Sequence, residues 1–401
     1  MRRVALIYDA TLAYDLCVIR GVAAYLQRGP GWSIYIAENN LKEQRLSDLC
    51  NWGVDGVVAD FDNPTVASAV VSSRLPAVGF GSGYGWYAPE SRIPYFFTNN
   101  QAIARLAADH LLDRGFQNFA YCGYRRNATN GWSEERQREF TKHARARGFG
   151  CHVYRGRYWN SPRWADIQDA LCAWLVSLPK PVGLMAANDN RARQVLEACR
   201  VSGLQVPDQV AVVGVDNDEV LCRLCSPLLT SIEQGAERIG YEAASLLDGI
   251  MRGKSPLKKR YVVDPVGVVT RRSSDVLRVT DPLVAKAMIF IREHACEGIK
   301  VPRVVVAANA SRSGLEARFK AEFGRTLHSA ILNVQLERAK SLVTETSLSP
   351  KEIAAATGFK SVQHMSSLFR RAVGLPPAAY RRTLRAGFFQ QSRPPYTSGP
   401  G

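Results

Sequence analysis

The chain has 401 residues, enough for two or three domains, and 46% of them are hydrophobic. It carries 52 Lys and Arg against 36 Asp and Glu, a formal net charge of +16 that favours a nucleic-acid partner. No apolar run reaches the length of a membrane-spanning helix and no signal peptide follows Met1, which argues against the membrane and secreted classes and predicts a cytoplasmic protein.

Residues 4–271 alternate short apolar segments with amphipathic stretches, a pattern typical of a parallel, doubly wound sheet. The segments predict nine strands: 4–8, 33–36, 56–59, 77–80, 95–97, 119–121, 152–154, 182–186 and 210–215. Nine strands with this many helices indicate two lobes rather than one sheet.

Polar side chains follow several of these strands at their carboxyl ends: Asp9, Asp60, Asn99, Asn188-Asp189 and Asp216-Asn217. Ligands of open α/β sheets bind at this edge. A single acid there is more often a helix cap or a solvated loop carboxylate. The series on one edge favours a polar pocket, although a capping role is an equal alternative for Asp60.

The spacing of glycines and cysteines argues against a dinucleotide-binding loop and against a metal or redox site. The series from Gly79 to Gly85 has Tyr84 where a dinucleotide-binding loop needs glycine, so a flexible loop at a cleft is favoured. Cys222 and Cys225 have the spacing of a metal or redox motif, but no second Cys or His pair lies at zinc-finger distance. We therefore expect reduced thiols, no metal, no cofactor and no catalytic activity.

Several ordered stretches of this region carry a family resemblance: Thr98-Asn99-Asn100, Asn188-Asp189, Val212–Asn217, Leu229–Ile232 and Gln234. They resemble the sensor core of the lactose-repressor (LacI) and periplasmic-binding-protein family. The resemblance implies two Rossmann-like lobes joined by three strand crossings, with a sugar effector in the cleft between them.

A sugar pocket needs carboxylates that accept hydroxyl hydrogens, a cationic or amide donor, and an aromatic face. The resemblance assigns hinge-side contacts to Asp216, Asn217 and Asp189, and a ligand-reaching arginine to Arg136 beside Trp132. From the first lobe we add acids and stacking rings, namely Asp15 and Asp60 with Tyr14 or Phe80. Asp15 begins a predicted helix, so it too has a capping alternative.

Two helix-turn-helix patterns follow, at residues 303–320 and 349–371. In each, a short apolar helix ends at a tight turn and a second helix with basic residues on its open face begins. Residues 281–401 hold 18 basic and 8 acidic side chains, so ten of the sixteen excess positive charges lie here. Motif and charge together predict DNA binding rather than simple solubilisation.

The tandem resembles the DNA-binding domain of the arabinose-regulator (AraC/XylS) family over residues 283–385. Asn309 stands where a turn glycine is expected, and Asn tolerates that backbone conformation better than most residues. Arg312 is the first candidate for base contact, followed by Gln363 and His364. The predicted phosphate contacts are Lys320, Arg325, Arg370 and Arg371, and the remaining DNA-binding candidates are Ser313, Arg318, Lys360 and Ser361.

The order of the two parts, with stretches such as Asp55–Asp62, Arg271–Ser273 and Gly298–Val301, resembles the xylose-operon activator family. The fold class expected is a two-lobed α/β periplasmic-binding-protein-like sensor with an all-α tandem helix-turn-helix domain. The predicted boundaries are 1–272 for the sensor, 273–282 for a linker that carries the coupling, 283–385 for the DNA-binding domain and 386–401 for a disordered tail.

The resemblance implies a sequence-specific transcription activator of sugar-catabolism genes. Its expected partners are a double-stranded DNA operator, a pentose effector (D-xylose first) and a second copy of the chain in a homodimer. RNA polymerase is a further candidate partner, and no membrane partner is expected. The alternative is a regulator of the same architecture that responds to another sugar or to a protein.

Overall fold

The computed structural model describes residues 1–36, 46–82, 93–127, 129–156, 164–276, 279, 281–373 and 376–381. The strands are β1 (Arg2–Ile7), β2 (Trp32–Ile36), β3 (Gly56–Asp60), β4 (Ala77–Gly81), β5 (Tyr95–Thr98), β6 (Asn118–Cys122), β7 (Cys151–Tyr154), β8 (Val182–Ala186), β9 (Val210–Val215), β10 (Thr230–Glu233), β11 (Arg260–Val263) and β12 (Gly267–Val269).

The helices are α1 (Ala13–Leu26), α2 (Pro64–Ser73), α3 (Asn100–Leu112), α4 (Gly131–Ala146), α5 (Trp164–Ser177), α6 (Asp189–Val201), α7 (Glu219–Leu224), α8 (Ala236–Met251), α9 (Pro282–His294), α10 (Val301–Ala307), α11 (Arg312–Phe323), α12 (Leu327–Glu345), α13 (Pro350–Ala356) and α14 (Val362–Val373). Short 3-10 helices span Leu46–Trp52 and Ala295–Glu297.

The strands form two sheets, one in each lobe. The first runs β11-β5-β4-β3-β1-β2 with every pairing parallel, and the second runs β12-β10-β9-β8-β6-β7 with β12 antiparallel to β10. Central strands such as β3, β8 and β9 are buried along their whole length. Apolar residues without alternation suit strands covered by helices on both faces. The predicted two-lobed α/β fold is confirmed.

The chain crosses between the lobes after β5, after β10 and between β11 and β12. The three crossings are hydrogen-bonded to one another. The Asn99 amide donates to the Val263 carbonyl at 2.9 Å, and the Val266 amide donates to the Glu233 carbonyl at 2.8 Å. The Asn99 side chain also donates to the Asp264 carboxylate at 2.7 Å. These bonds make the crossings one hinge rather than three independent strands.

Every predicted strand is present, but β10, β11 and β12 were not predicted. Each has at most four residues, and they include polar or charged side chains such as Glu233 and Arg260. Their pairing partners come from distant parts of the chain, for example β5 for β11. A local apolar pattern therefore cannot reveal them, because tertiary pairing decides their conformation.

Helices α9 to α14 form a helical domain with two cores. The first core joins α9, α10, α11 and the start of α12, and the second joins the end of α12 with α13 and α14. The Ser311 hydroxyl caps α11, and Ser349 with Glu352 forms a capping box on α13. Asn309 has a positive φ of 52°, as expected for the first turn.

Some predicted features lie outside the described residues or differ from expectation. The tail 386–401 and the loop residues Gly83–Gly85 are outside them. Ser273 and Ser274, predicted to begin the linker, are fully buried against the second lobe, where their hydroxyls bond to Val212, Thr230 and His110. The chain thus leaves the sensor after these serines.

In the part of the chain that the structure describes, no helix has the length and apolar content to cross a membrane. No group of three or more His, Cys, Asp or Glu side chains among those residues could hold a metal ion. Cys222 and Cys225 are free and buried, and burial raises the pKa of both thiols.

Candidate functional site: a cleft between two lobes and a basic helical pair

Arg136 on α4 is the organising cation of the cleft. Its side chain is buried and donates to the Asn100 side chain at 2.8 Å, the Ala187 carbonyl at 2.7 Å and the Gln234 side chain at 2.7 Å. Asn100 and Gln234 follow two different lobe crossings. A group that changes the position of this guanidinium therefore acts on two parts of the hinge.

Asp216 and Asn217 form the turn after β9. Both have positive φ values, 119° and 53°, which non-glycine residues adopt at a cost and which cluster at ligand-binding loops. The Asp216 carboxylate accepts a short hydrogen bond from Gln234, which links it to Arg136. The Asn217 side chain accepts from Arg271 at 2.8 Å. The turn is thus held in one orientation, with its carboxylate directed to the Arg136 network.

Asp189 begins α6 and is fully buried. Its carboxylate accepts from the Ser231 hydroxyl at 2.5 Å and from the Asp218 amide at 2.9 Å. Because both oxygens have partners inside the second lobe, the side chain anchors the loop that carries Asp216. Direct sugar contact by Asp189 stays a prediction, and this geometry favours a positioning role.

The first lobe supplies a cluster of acids. The Asp15 carboxylate accepts from the Asp9 amide at 2.8 Å, and the Asp60 carboxylate accepts from the Asp62 amide at 2.8 Å. Asp62 accepts from the Ser82 amide at 3.0 Å and from the Ser82 hydroxyl at 2.8 Å. These are the turn and loop contacts expected of acids at strand ends, and they leave other carboxylate lone pairs available to a ligand.

Charged side chains of the two lobes act on one another's pKa values across this cleft. Burial raises the pKa of Asp15, and the charge of Asp216 from the opposite lobe raises it further. Burial raises the pKa of Asp62 to about 6 and that of Asp216 to about 6, while the Arg136 cation opposes both shifts. Burial lowers the pKa of Arg136, whereas the negative charges of Asp216 and Asp62 raise it. The cleft is a desolvated acidic site around one guanidinium.

Aromatic rings border the same cleft. The Arg136 guanidinium lies 4.7 Å from the Trp132 ring centroid, and Trp132 packs edge-on against Tyr124. The Tyr14 hydroxyl donates to the Gly81 carbonyl at 2.9 Å, so its ring is held near the acids of the first lobe. Phe80 is fully buried in the core of that lobe, which favours Tyr14 over Phe80 as the stacking ring.

Of the sequence-predicted pocket residues, Trp132 contacts Arg136 and Asp216 is linked to it through Gln234. Asp15 and Asp60 lie in the acid cluster of the first lobe, Asn217 bonds to Arg271, and Asp189 lies behind the Asp216 loop. Sequence reasoning missed three further members of the network: Asn100, Gln234 and Asp62. Their signal was present, because all three occur in or beside the stretches that carry the family resemblance. Asp62 also follows Asp60 by two residues at the end of β3.

The first helix-turn-helix consists of α10 and α11. Ser313 and Lys320 are exposed on α11. Arg312 donates to Glu316 at 3.0 Å and Arg318 to Asp281 at 2.9 Å, with 67% and 57% of the two arginine side chains exposed. Solvent-exposed pairs of this kind contribute little, so both guanidinium groups can exchange their partner for a phosphate.

The second helix-turn-helix consists of α13 and α14. Its predicted DNA contacts are exposed: Lys360, Ser361, Gln363, His364, Arg370 and Arg371. The Ser361 hydroxyl accepts from the His364 amide at 3.2 Å, which starts the helix. The His364 ring meets Phe359 edge-on at 5.7 Å, so it is oriented rather than free.

The exposed basic residues of α11 and α14, namely Arg312, Lys320, Arg370 and Arg371, are called the basic face. Arg325 does not lie on it. Its guanidinium contacts the Asp113 carboxylate at the end of α3 at 2.7 Å, and only 10% of its side chain is exposed. Burial raises the pKa of Asp113 to about 6, and the Arg325 charge opposes that shift. The predicted phosphate contact of Arg325 does not fit this arrangement, because its short-range partner belongs to the sensor rather than to an open surface.

The two helix-turn-helix units are held in a fixed relation. Gln335, buried in the middle of α12, donates to the Ala295 carbonyl at 2.7 Å and to the Gly358 carbonyl at 3.2 Å. A Cβ on Gly358 would lie 2.4 Å from the Gly298 amide nitrogen, and both glycines have positive φ. Only glycine permits this approach of the two halves.

The hinge contacts the second helix-turn-helix directly. Val266, in the crossing between β11 and β12, packs against the core formed by α12, α13 and α14. Glu337 of α12 lies 3.6 Å from the position of a Cβ on Gly267. Burial and the nearby charge of Glu233 raise the pKa of Tyr380. The crossing, the end of β10 and the helical domain therefore share one contact region.

Three protein families match successive parts of the chain. A XylR N-terminal domain matches residues 3–101, a periplasmic binding protein-like domain matches 108–274, and a helix-turn-helix domain matches 304–383. Together they cover the two lobes and the helical domain.

Full-length relatives have the same order of parts. The chain is 37% identical over 380 residues to the xylose operon regulatory protein of Escherichia coli, covering 94% of this chain and 96% of the relative. It is 34% identical over 380 residues to the protein of the same name from Haemophilus influenzae, at 94% and 98% coverage.

Among solved structures, the xylose-binding transcription activator XylR matches with a TM-score of 0.62 and 37% identity, over 95% of this chain and 98% of that one. The transcription regulator CcpA of Lactococcus lactis matches with a TM-score of 0.57 and 20% identity over 69% of this chain, which supports the sensor fold alone.

Proposed function

The chain belongs to the family of xylose operon regulatory proteins, and from this premise we propose that it is a DNA-binding transcription regulator controlled by D-xylose. The observation that carries the proposal is the cleft around Arg136. Buried carboxylates of both lobes, the Arg136 guanidinium and the Trp132 ring in contact with it support the proposal. Those groups match the hydroxyls, ring oxygen and apolar face of a pyranose.

The proposed roles follow from the contacts. Asp216 from the second lobe and Asp15, Asp60 and Asp62 from the first accept sugar hydroxyl hydrogens, with Asn217 beside Asp216. Arg136 donates to a sugar oxygen across Trp132, while Asp189, Asn100 and Gln234 position these groups. Without a ligand the acids of the two lobes repel each other, and sugar hydroxyls shared between them favour the closed state.

Closure reaches DNA through the hinge in this proposal. The Arg136 network includes residues that follow two crossings, the Asn99–Asp264 hydrogen bond joins the third, and Val266 packs against the second helix-turn-helix. A change in the crossings thus moves α12 to α14 relative to the sensor. This route adds to the predicted linker, whose first serines are fixed inside the second lobe.

On DNA, the exposed residues of α11 and α14 would enter two major-groove segments of a double-stranded operator about 34 Å apart. Arg312, Gln363 and His364 are the proposed base contacts, whereas Lys320, Arg370 and Arg371 contact phosphates. Action as an activator on RNA polymerase and assembly as a homodimer belong to the same proposal.

Thermal melting of the full chain with a panel of pentoses and hexoses tests the sugar assignment. D-xylose at 100 times its dissociation constant stabilises the folded state by about 2.7 kcal/mol, and the midpoint rises accordingly. The Asp216→Asn variant loses this shift, whereas Glu219→Gln, a surface control nearby, keeps it. If another sugar raises the melting midpoint more than D-xylose does, that sugar is the effector. If no sugar raises it, a protein effector is favoured.

A further inference from the structure

A second cavity, of about 320 Å³, lies outside the cleft, where the sensor, the hinge and the helical domain meet. Its charged and polar lining comes from Gln101 and Arg105 of α3, Glu139 and Lys142 of α4, Asp264 of the hinge and Arg371 of α14. Cavities of roughly 300 Å³ and more accommodate small metabolites.

Three cations and two carboxylates line this cavity, so its formal charge is +1, and the three cations are exposed at its mouth. Arg105, Lys142 and Arg371 come from three different helices, and within the described ranges none of them has an ion-pair or hydrogen-bond partner. Of the two carboxylates, Glu139 pairs with Arg138 at 3.0 Å, whereas Asp264 accepts from the neutral Asn99 side chain at 2.7 Å, a bond within the cavity lining that offsets no charge.

Three cations against one carboxylate without a cationic partner, Asp264, leave the lining with an excess of positive charge that favours a bound anion. The His143 ring adds a nitrogen, although it lies 2.9 Å from the Asp109 carboxylate. Arginine guanidinium groups bind phosphate oxygens in pairs, and lysine adds a point charge. The remaining polar lining, Gln101 with the Asp264 carboxylate, can bond to hydroxyl groups. These groups suit a small molecule that carries both a phosphate and hydroxyl groups.

We propose that this cavity is a second effector site that binds a small phosphorylated sugar or polyol. The site is complete only when the helical domain rests on the sensor, because Arg371 belongs to α14 and Arg105 and Lys142 to the sensor. An anion bound there stabilises this docked arrangement.

Binding at the second site is therefore coupled to DNA binding. Arg371 is also a proposed contact to the DNA backbone, so the bound anion and an operator phosphate compete for the same guanidinium. By thermodynamic reciprocity, the anion weakens operator affinity by the same factor by which the operator weakens the anion.

Calorimetric titration of the full chain at constant ionic strength tests this site with three probes: D-ribose 5-phosphate, inorganic phosphate and D-ribose. We expect D-ribose 5-phosphate to bind, inorganic phosphate to bind at least tenfold more weakly, and D-ribose to show no binding that depends on these cations. The double variant Arg105→Gln, Arg371→Gln should weaken D-ribose 5-phosphate at least tenfold. Arg223→Gln, which changes an exposed arginine on α7, should not.

Two outcomes would overturn the proposal: D-ribose 5-phosphate affinity that the double variant leaves unchanged, or affinity that Asp216→Asn abolishes, which would place the ligand in the cleft. The melting shift with D-xylose is the check on the other site. This shift should persist in the double variant. The two sites are therefore tested independently: a protein that does not bind D-ribose 5-phosphate can still bind xylose in the cleft, and loss of the xylose response alone does not argue against the second site.

Discussion

The cleft of the sensor and the basic face of the helical domain solve recognition in opposite ways. In the cleft, Arg136 and Asp216 are desolvated and bound to neighbours before any ligand arrives. On the basic face, Gln363, Arg370 and Arg371 are exposed. A buried network is costly to break and specific, whereas exposed cations act additively and are sensitive to salt. Substitutions in the two regions should therefore differ in size and in kind.

The largest effect is expected for Arg136→Met. It removes a buried cation that holds three hydrogen bonds and leaves Asp216 and Asp62 without their counter-charge. We expect the free energy of unfolding to fall by about 3 kcal/mol and the xylose response to vanish. Urea unfolding measures the first effect. Arg138→Met, an exposed change on the same helix, should stay within about 0.5 kcal/mol, and equal losses in both variants would contradict a special role for Arg136.

The pH dependence of sugar affinity gives the next largest effect. The pKa values of Asp62 and Asp216, raised by burial to about 6, mean that both side chains ionise between pH 5 and 7. If the sugar needs the carboxylates, affinity should fall on the order of tenfold per group from pH 7 to pH 5. Asp62→Asn, which keeps Asp216, should remove one of the two tenfold steps. If the affinity of the wild-type protein does not change over this pH range, sugar binding does not depend on these ionised carboxylates.

Stability should move in the opposite direction over the same pH range. The folded-state pKa of each acid lies above its unfolded value, so the folded protein binds more protons between about pH 4 and 6. Stability contributed by these groups is therefore lost as pH rises through that window. Urea midpoints measured without sugar at pH 5 and pH 7 separate this effect from the change in affinity.

A smaller effect is expected at the region that joins the two surfaces. Val266→Ala removes side-chain contacts between the hinge and the helical core without touching either ligand. We expect the xylose melting shift to stay and the xylose-dependent change in operator affinity to shrink by about 1 kcal/mol, or roughly fivefold. Val262→Ala, an exposed change on β11, is the control. If xylose changes operator affinity as much in Val266→Ala as in the wild type, the linker rather than Val266 connects the cleft to the helical domain.

The smallest effect concerns the basic face. Arg370→Ala should reduce the slope of log affinity against log salt by about 0.9, because one phosphate contact is lost. Gln363→Ala should leave that slope unchanged while it relaxes the preference for one base pair. Binding measured at several salt concentrations separates the two. Identical slopes for wild type and Arg370→Ala would mean that this arginine does not contact the backbone.

The sequence predicted more of the fold than of the connections inside it. Strands with continuous apolar runs, such as β3 and β9, were recognisable locally, as was the capping Ser311. The hydrogen bond of Gln234 to Arg136 joins residues 98 positions apart, and the pairing of Arg325 with Asp113 depends on how two domains pack. The periodic pattern of apolar residues along the sequence carries no information about such contacts. Arg325 was therefore predicted as a phosphate contact from its charge alone.

We propose that a sugar in the cleft controls how the helix-turn-helix pair binds DNA. Operator affinity measured by fluorescence anisotropy with and without D-xylose, at one fixed salt concentration, tests it most directly. In the wild-type chain we expect xylose to change operator affinity at least fivefold, and in Asp216→Asn the sugar should have no effect while sugar-free DNA binding is preserved. A variant that responds to xylose as the wild type does would contradict the claim.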